Sequence, residues 1–278
     1  QVLVERTPQD IVDLPPVDTA SNNETPIGLS NNQLRHIGGS RAAIRNSSYS
    51  LNRVSPTGFA LTPDESRLAL RGRGGIWLAQ LDSIGQAINL IDRRAGLLNP
   101  VFDVDGTLWS TGSSSKSALF TYAADGSARQ IDSPWLASIK RKQFAISPEG
   151  SRIAFLESRK SGNVLWVAVI IRNPEGQPVG LGNPIEIDSV GAAVTSFAWA
   201  NETKIAVLAT DATGTVPKLM QVGGLSRSLP AVESAVEIAA SNKGDSIYVR
   251  NIDGDVFQLR GNSWSLVAKD QDFIQFAG

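Results

Sequence analysis

Along most of this chain, apolar and polar positions alternate in short runs, and the runs come in pairs joined by tight polar turns. The clearest pair is Phe144-Ala-Ile-Ser-Pro-Glu-Gly-Ser-Arg-Ile-Ala-Phe155. An earlier copy reads Phe59-Ala-Leu-Thr-Pro-Asp-Glu-Ser-Arg-Leu-Ala-Leu70, and Val101-Phe-Asp-Val-Asp-Gly-Thr-Leu-Trp109 is a shortened one. Later copies are Phe197-Ala-Trp-Ala-Asn-Glu-Thr-Lys-Ile-Ala-Val207 and Ile238-Ala-Ala-Ser-Asn-Lys-Gly-Asp-Ser-Ile-Tyr-Val249. A period of two marks half-buried strands. The Pro-Glu-Gly link is hairpin chemistry, because Pro presets φ and Gly supplies a positive φ. Aligned on Pro63, Val104, Pro148, Ala200 and Asn242, the copies lie 41 to 52 residues apart.

A period of about 40–50 residues holding several short strands is the signature of a β-propeller. Each repeat supports four antiparallel strands; in the third they are Gln143–Ile146, Arg152–Leu156, Asn163–Ile171 and Pro184–Ile187. The third repeat is stretched by residues 172–182, a long connection between strands. No apolar stripe of period 3.6 persists, so almost no helix is expected. Five full repeats predict five blades. Residues 27–56, including the alternating Gln33-Leu-Arg-His-Ile37, leave two fates open. They either pair with Ser263–Lys269 to close the fifth blade or build an irregular sixth. Residues 1–26, with Thr7-Pro8, Leu14-Pro-Pro16 and Thr25-Pro26, carry turn and linker signals. They are expected to be a linker or the tail of an upstream domain, with the propeller spanning 27–278.

The phrase Ser147-Pro-Glu-Gly-Ser-Arg-Ile-Ala-Phe155 is similar to the repeat of TolB-like propellers. The series from Phe59–Ala69 through Leu98–Trp109, Phe144–Ala154 and Val194–Trp199 to Asp253-Gly-Asp-Val-Phe-Gln-Leu-Arg-Gly-Asn-Ser-Trp264 resembles the C-terminal propeller domain of the LpqB lipoproteins of actinobacteria. Two departures are a second repeat without the Ser-Pro-Asp turn, and an ending Phe273-Ile-Gln-Phe-Ala-Gly278 without a proline before the last glycine. The resemblance implies an exported protein with a signal peptide and a palmitate-bearing lipobox cysteine upstream. It would be anchored on the outer face of the cell membrane, with a GerMN domain between anchor and propeller. It also implies a partner, the extracytoplasmic domain of the Mtr sensor histidine kinase, and a role in two-component signalling and envelope homeostasis.

Composition narrows the chemistry. The chain has 278 residues, a net charge of −1, 41% apolar residues and no cysteine. No global field points to nucleic acid, and thiolate chemistry and Cys-ligated metals are excluded within these residues. His36 is the one histidine, so a two-His metal site is impossible; it reads as an ordinary strand residue. No Gly-x-Ser-x-Gly elbow or phosphate-binding Gly-x4-Gly-Lys-Ser/Thr loop occurs. Arg71-Gly-Arg-Gly-Gly75 is a hairpin loop before Ile76-Trp77. Asp103-Val-Asp-Gly106 mimics the start of a calcium loop, but the closing ligands are missing and a strand-to-strand turn is the better reading. No catalytic residue, metal site or cofactor is assigned, and the protein is expected not to be an enzyme. The competing expectation is a small-ligand or glycan sensor, or a hydrolase, using the central channel.

Of the six tryptophans, Trp77, Trp109 and Trp166 fall within expected strands and should pack in the core. Trp135, on the connection Ser133-Pro-Trp-Leu136, is a candidate for exposure to a partner. In a propeller, the connections between blades and those between second and third strands share one face. That collects Arg71, Arg73, Arg93, Arg94, Lys140, Arg141, Arg159 and Lys160 from the first three repeats, against Asp211, Glu233, Asp253 and Asp255 from the last two. The candidate partner-binding residues are therefore Arg71, Arg73, Arg93, Arg94, Trp135, Lys140, Arg141 and Lys160.

Overall fold

In this computed structural model the described residues are 26–30, 33–37, 54–81, 88–187, 193–212, 214–241 and 246–276. The 1–25 part of the expected linker lies outside them. The chain opens with β1 (Ile27–Ser30) and β2 (Gln33–His36). Blade 1 is β3 (Gly58–Leu61), β4 (Arg67–Gly72), β5 (Gly75–Gln80) and β6 (Asn89–Asp92). Blade 2 is β7 (Val101–Phe102), β8 (Leu108–Ser110), β9 (Leu119–Tyr122) and β10 (Ala128–Ile131). Blade 3 comprises β11 (Arg141–Ile146), β12 (Arg152–Arg159), β13 (Gly162–Arg172), β14 (Pro178–Leu181) and β15 (Ile185–Ile187). Blade 4 is β16 (Ala193–Trp199), β17 (Lys204–Asp211), β18 (Gly214–Gln221) and β19 (Ser226–Ser228). Blade 5 is β20 (Ala235–Ala240), β21 (Ile247–Asn251), β22 (Val256–Arg260) and β23 (Ser263–Ala268). The last strand is β24 (Phe273–Gln275).

The first strands form a closed ring: β3 neighbours β7, and β7, β11, β16, β20 and β24 follow in turn until β24 returns to β3. The ring has six blades, which corrects the expectation of five. Residues 27–36 do not join Ser263–Lys269; β1 pairs with β2 on one side and with β24 on the other, Gly28 facing Ile274. The sixth sheet thus takes its inner strand from the end of the chain and its outer strands from the start. Each end alone offers too short a run to read as a blade. Pairing them removes two exposed edges at once.

The repeated Phe-Ala phrase has a packing reason. Blades taper toward the axis, and small residues sit where they converge: Ala60 faces Ala69, Ala145 faces Ala154, and Ala198 faces Ala206. The flanking larger residues fill the space between blades. Phe155 and Trp109 join one buried cluster between blades 2 and 3, and Phe197 and Val207 another between blades 3 and 4. The Arg of the phrase also acts between blades. Arg67 donates to the carbonyl of Gly106 in the next blade and lies over the Phe102 ring, and Arg152 donates to the carbonyl of Glu202.

Blade 3 departs from the pattern. β13 runs for 11 residues; its first half pairs with β15 and its far end with β14. The expected long connection therefore contains a strand. β14 also bonds to blade 2, the Asp132 N–H donating to the Val179 carbonyl at 3.1 Å and the Leu181 N–H to the Asp132 carbonyl at 3.0 Å. Helix is confined, among the described residues, to a 3-10 turn at Pro134–Ser138.

Candidate functional site

Two regions gather polar groups: the central channel and the face where blade-to-blade links emerge. The channel holds a cavity of about 310 Å3 between β11, β16, β20, β24 and Asn99–Val101. Its wall chemistry follows from a bulge repeated in three first strands, between Arg141 and Gln143, Val194 and Ser196, and Ala235 and Glu237. A bulge re-aims the following side chain, and each one caps the inner edge of the next blade. The Gln143 amide accepts from the Phe197 N–H at 3.3 Å and donates to its carbonyl at 2.7 Å. Ser196 accepts from the Ile238 N–H at 3.2 Å, and Glu237 from the Ile274 N–H at 3.2 Å. Glu237 is also held by Arg250 at 2.7 Å. Burial pushes the Glu237 carboxyl up against the opposing pull of Arg250. The channel's side chains are thus committed largely to joining blades.

The second region, the link face, carries the candidate partner-binding residues. Its second-to-third-strand turns touch the neighbouring links. Gly75 lies against Asp92 and Arg93, the Ser158 N–H donates to the Lys140 carbonyl, and the Arg141 N–H donates to the Ser113 carbonyl. On the other half the Ile252 N–H donates to the Ser234 carbonyl and the Gln271 N–H to the Gly254 carbonyl.

The candidates divide into exposed and committed residues. Arg73, Arg93, Lys140 and Lys160 are exposed. Arg71 is half-buried, donates to the Thr57 hydroxyl and carbonyl, and has its pKa lowered by burial. Arg94 grips Asp92 at 2.6 Å, donates to the Ala118 carbonyl at 2.7 Å, and lies 4.3 Å from the Phe120 ring centre. Burial works against the Arg94 charge, but Asp92 more than offsets it and the pKa rises.

Arg141, expected on the exposed face, is buried instead. It is 1% exposed, and its guanidinium reaches the carbonyls of Gly112, Leu136, Ser114 and Ser117 at 2.5–3.1 Å. Arg141 is buried between two exposed lysines, Lys140 on the link and Lys142, which lines the channel cavity. Burial pushes its pKa down to about 10, which leaves it charged at neutral pH. Trp135 is not a projecting ring either. It packs edge-on against Phe155 at 5.7 Å and donates its indole N–H to the Gly182 carbonyl at 3.1 Å.

The other singled-out residues are structural. The buried Asp103 carboxylate accepts from the N–H groups of Asp105 and Thr107 and from the Trp109 indole at 2.8–3.0 Å, so its lone pairs are occupied within the turn. Trp109 is fully buried, whereas Trp77 and Trp166 are half-buried. His36 meets Glu65 of blade 1 at 3.3 Å, linking blades 6 and 1. No set of three or more His, Cys, Asp or Glu side chains among the described residues is placed to hold a metal ion.

The structure adds members that the repeats did not reveal. Lys116 is exposed in the second-to-third-strand turn of blade 2, whereas Lys142, at the bulge of β11, lines the channel. Asp270 and Asp272 are exposed in the link to β24, beside Asp253 and Asp255. Arg73, Arg93, Lys116, Lys140 and Lys160 enter no ion pair among the described residues, nor do Glu233, Asp253, Asp270 and Asp272. Among the described residues, the loops of blades 1–3 therefore expose mostly cations, together with Asp132, and those of blade 5 with the links before and after it expose mostly carboxylates, together with Lys269.

A closed six-bladed ring of antiparallel sheets around a central cavity defines a β-propeller. The family model described as "Lipoprotein LpqB beta-propeller domain" matches residues 40–273. The chain belongs to that family. No curated protein matches it. Among solved structures, a chain of the nidogen/laminin complex aligns with a TM-score of 0.62 at 10% identity, covering 91% of this chain and 97% of that one. A putative TolB from Agrobacterium tumefaciens aligns at 0.59 and 12% identity, covering 91% and 90%. A gluconolactonase from Xanthomonas campestris aligns at 0.54 and 12% identity, covering 89% and 84%. At such identities these likenesses concern the fold. No helix among the described residues is long and apolar enough to cross a membrane.

Proposed function

We propose that this domain is a non-catalytic docking module of the cell envelope, and that it binds its protein partner through the link face. Membership of the LpqB propeller family supports an extracytoplasmic, lipid-anchored setting. The family resemblance suggests the extracytoplasmic domain of an envelope sensor kinase as the partner. The observation that carries the reading is the division of exposed charge on one face among the described residues: mostly cations on blades 1–3, mostly carboxylates on blade 5 and its two links. Such patterning favours orientation and association rate over raw affinity.

The test is to reverse Arg93, Lys140 and Lys160 together to Glu. Association with the sensor-kinase domain is then measured for both proteins at two salt concentrations. The variant should associate at least about tenfold more slowly at low salt. The difference should shrink as salt rises, because exposed charges are screened over about 8–10 Å at physiological ionic strength. Equal rates at low salt would remove this face as the docking surface.

A further inference from the structure

Three successive first strands carry a bulge at the same level, and each bulge leaves one residue over. On β11 that residue is Lys142, on β16 Thr195 and on β20 Val236. The levels match because the residue after each bulge bonds to the next first strand in the same way, Gln143 to Phe197 and Ser196 to Ile238. Side chains of a first strand alternate between the two neighbouring blades, and the extra residue belongs to neither series. All three extra residues are exposed and line the channel cavity, whereas the residues before and after them are buried or half-buried.

These side chains give the cavity a charge, an acceptor and an apolar wall. Lys142 enters no ion pair among the described residues. The other charged groups lining the cavity, Glu237 and Arg250, hold each other at 2.7 Å. Among the described residues the cavity therefore carries one uncompensated positive charge, and a concave protein wall screens it less than bulk water does. The Thr195 hydroxyl donates to the Leu208 carbonyl at 3.3 Å, so its oxygen is left to accept. Gln275 of β24 adds an amide, and Val236 and the half-buried Phe273 add an apolar side. A volume of about 310 Å3 lies at the small end of ligand sites and suits a single ring with its substituents.

We infer that the channel binds a small sugar acid, with its carboxylate against the Lys142 ammonium, ring hydroxyls toward Thr195 and Gln275, and the C–H face of the ring on Val236 and Phe273. A neutral sugar leaves the Lys142 charge unmatched, and a bare carboxylate leaves the polar and apolar walls unfilled. The contacts come from β11, β16, β20 and β24, so the ligand bridges four first strands beside the seam where β24 closes the ring. A ligand that binds only the closed ring stabilises it by mass action. The inference does not depend on the link face being the docking surface.

Isothermal titration calorimetry of the whole chain with D-glucuronate, D-glucose and acetate tests this, with thermal melting as a second readout. D-glucuronate should occupy one site per chain in the millimolar range or tighter, at least about tenfold more tightly than D-glucose or acetate. It should also raise Tm where D-glucose does not. Lys142→Met should weaken D-glucuronate binding at least about tenfold. Lys142→Arg, which keeps the charge, should retain most of the binding, so loss of the cation is told apart from loss of the fold. Thr195→Val should weaken binding about threefold or more, and Lys140→Met, on the link face, should leave it unchanged. No saturable binding of D-glucuronate overturns the inference, as does binding that Lys142→Met leaves intact. Equal affinity for acetate means an adventitious anion only, and equal affinity for D-glucose means that Lys142 takes no part; either also overturns it. The docking reading survives each of these failures, because its own test reads association with the sensor-kinase domain.

Discussion

Replacing Arg141 with Met separates a structural from a partner-binding role for the most deeply placed cation of the link face. Its guanidinium has no carboxylate partner; it is neutralised by four backbone carbonyls from two neighbouring loops. Gly112 and Leu136 supply buried acceptors, while Ser114 and Ser117 share one nitrogen and sit in a turn that water reaches. Hydrogen bonds from a charged donor are worth about 1.5–3 kcal/mol each, net of the water they replace. A straight sum overshoots, because the Ser114 and Ser117 carbonyls rehydrate when the guanidinium is gone. Counting the two buried acceptors fully and the exposed pair lightly gives a loss of about 3–5 kcal/mol. For a domain of this size that lowers Tm by roughly 6–20 °C.

Thermal melting followed by tryptophan fluorescence, with a guanidinium titration beside it, reads the change. Arg141→Lys keeps the charge but loses the planar fork, and should recover part of the loss. Lys140→Met, one residue away and exposed, should stay within about 0.5 kcal/mol of wild type. An Arg141→Met protein that melts within about 1 °C of wild type would mean that the four carbonyl contacts contribute nothing, and the reasoning fails.

Trp109→Ala should cost about 3–5 kcal/mol, since the ring is fully buried and its N–H is bonded to Asp103; an unchanged denaturation midpoint would contradict the core between blades 2 and 3. Asp92 supports acid-side stability. Burial raises its pKa, but the bonds and charge of Arg94 and the Ser110 hydroxyl outweigh this, and the pKa falls below its ordinary 3.8. Its contribution is therefore complete above pH 3.8 and lost as pH falls through the lower folded value. Asp92→Asn should lower stability at neutral pH and flatten the acid limb of a stability–pH profile below that point, and an acid limb identical to wild type would refute the assignment.

The parts of the fold that were legible in the sequence are those each repeat states for itself. The phrase around Ser147–Phe155 combines alternation, turn residues and an Arg. The structure gives each a use: paired strands β11 and β12, a Pro-Gly turn, and a tether from Arg152 to the next blade. The sixth blade was legible only as an alternative, because no single stretch of chain encodes it. Ile27–Ser30 and Phe273–Gln275 are short strands whose partner lies at the opposite end of the sequence. β14 was hidden because its carbonyls and N–H groups are satisfied partly across blades, at Asp132, and such a pairing leaves no periodic mark. Arg141 was not legible: it opens β11 next to the bulge between Arg141 and Gln143, where alternation no longer assigns a face.

The same limit governs the candidate site. Cations on the links of blades 1–3 are visible repeat by repeat, because link and turn positions follow from the strand count. Lys116 escaped because β8 is only three residues long, which blurs where its turn begins. Asp270 and Asp272 escaped because the segment after β23 reads as a tail until β24 is recognised as the inner strand of a blade. Once that blade exists, the segment becomes a link like Arg93–Pro100, and its two carboxylates join the exposed charges of the link face. The polarity of the face is therefore a property of the closed ring and of no repeat within it. Closure is made by the pairing of β24 with β1 and is helped by Glu237, whose carboxylate accepts the Ile274 N–H. A substitution that unseats β24 would thus displace Asp270 and Asp272, so ring closure and the charge pattern of the link face stand or fall together.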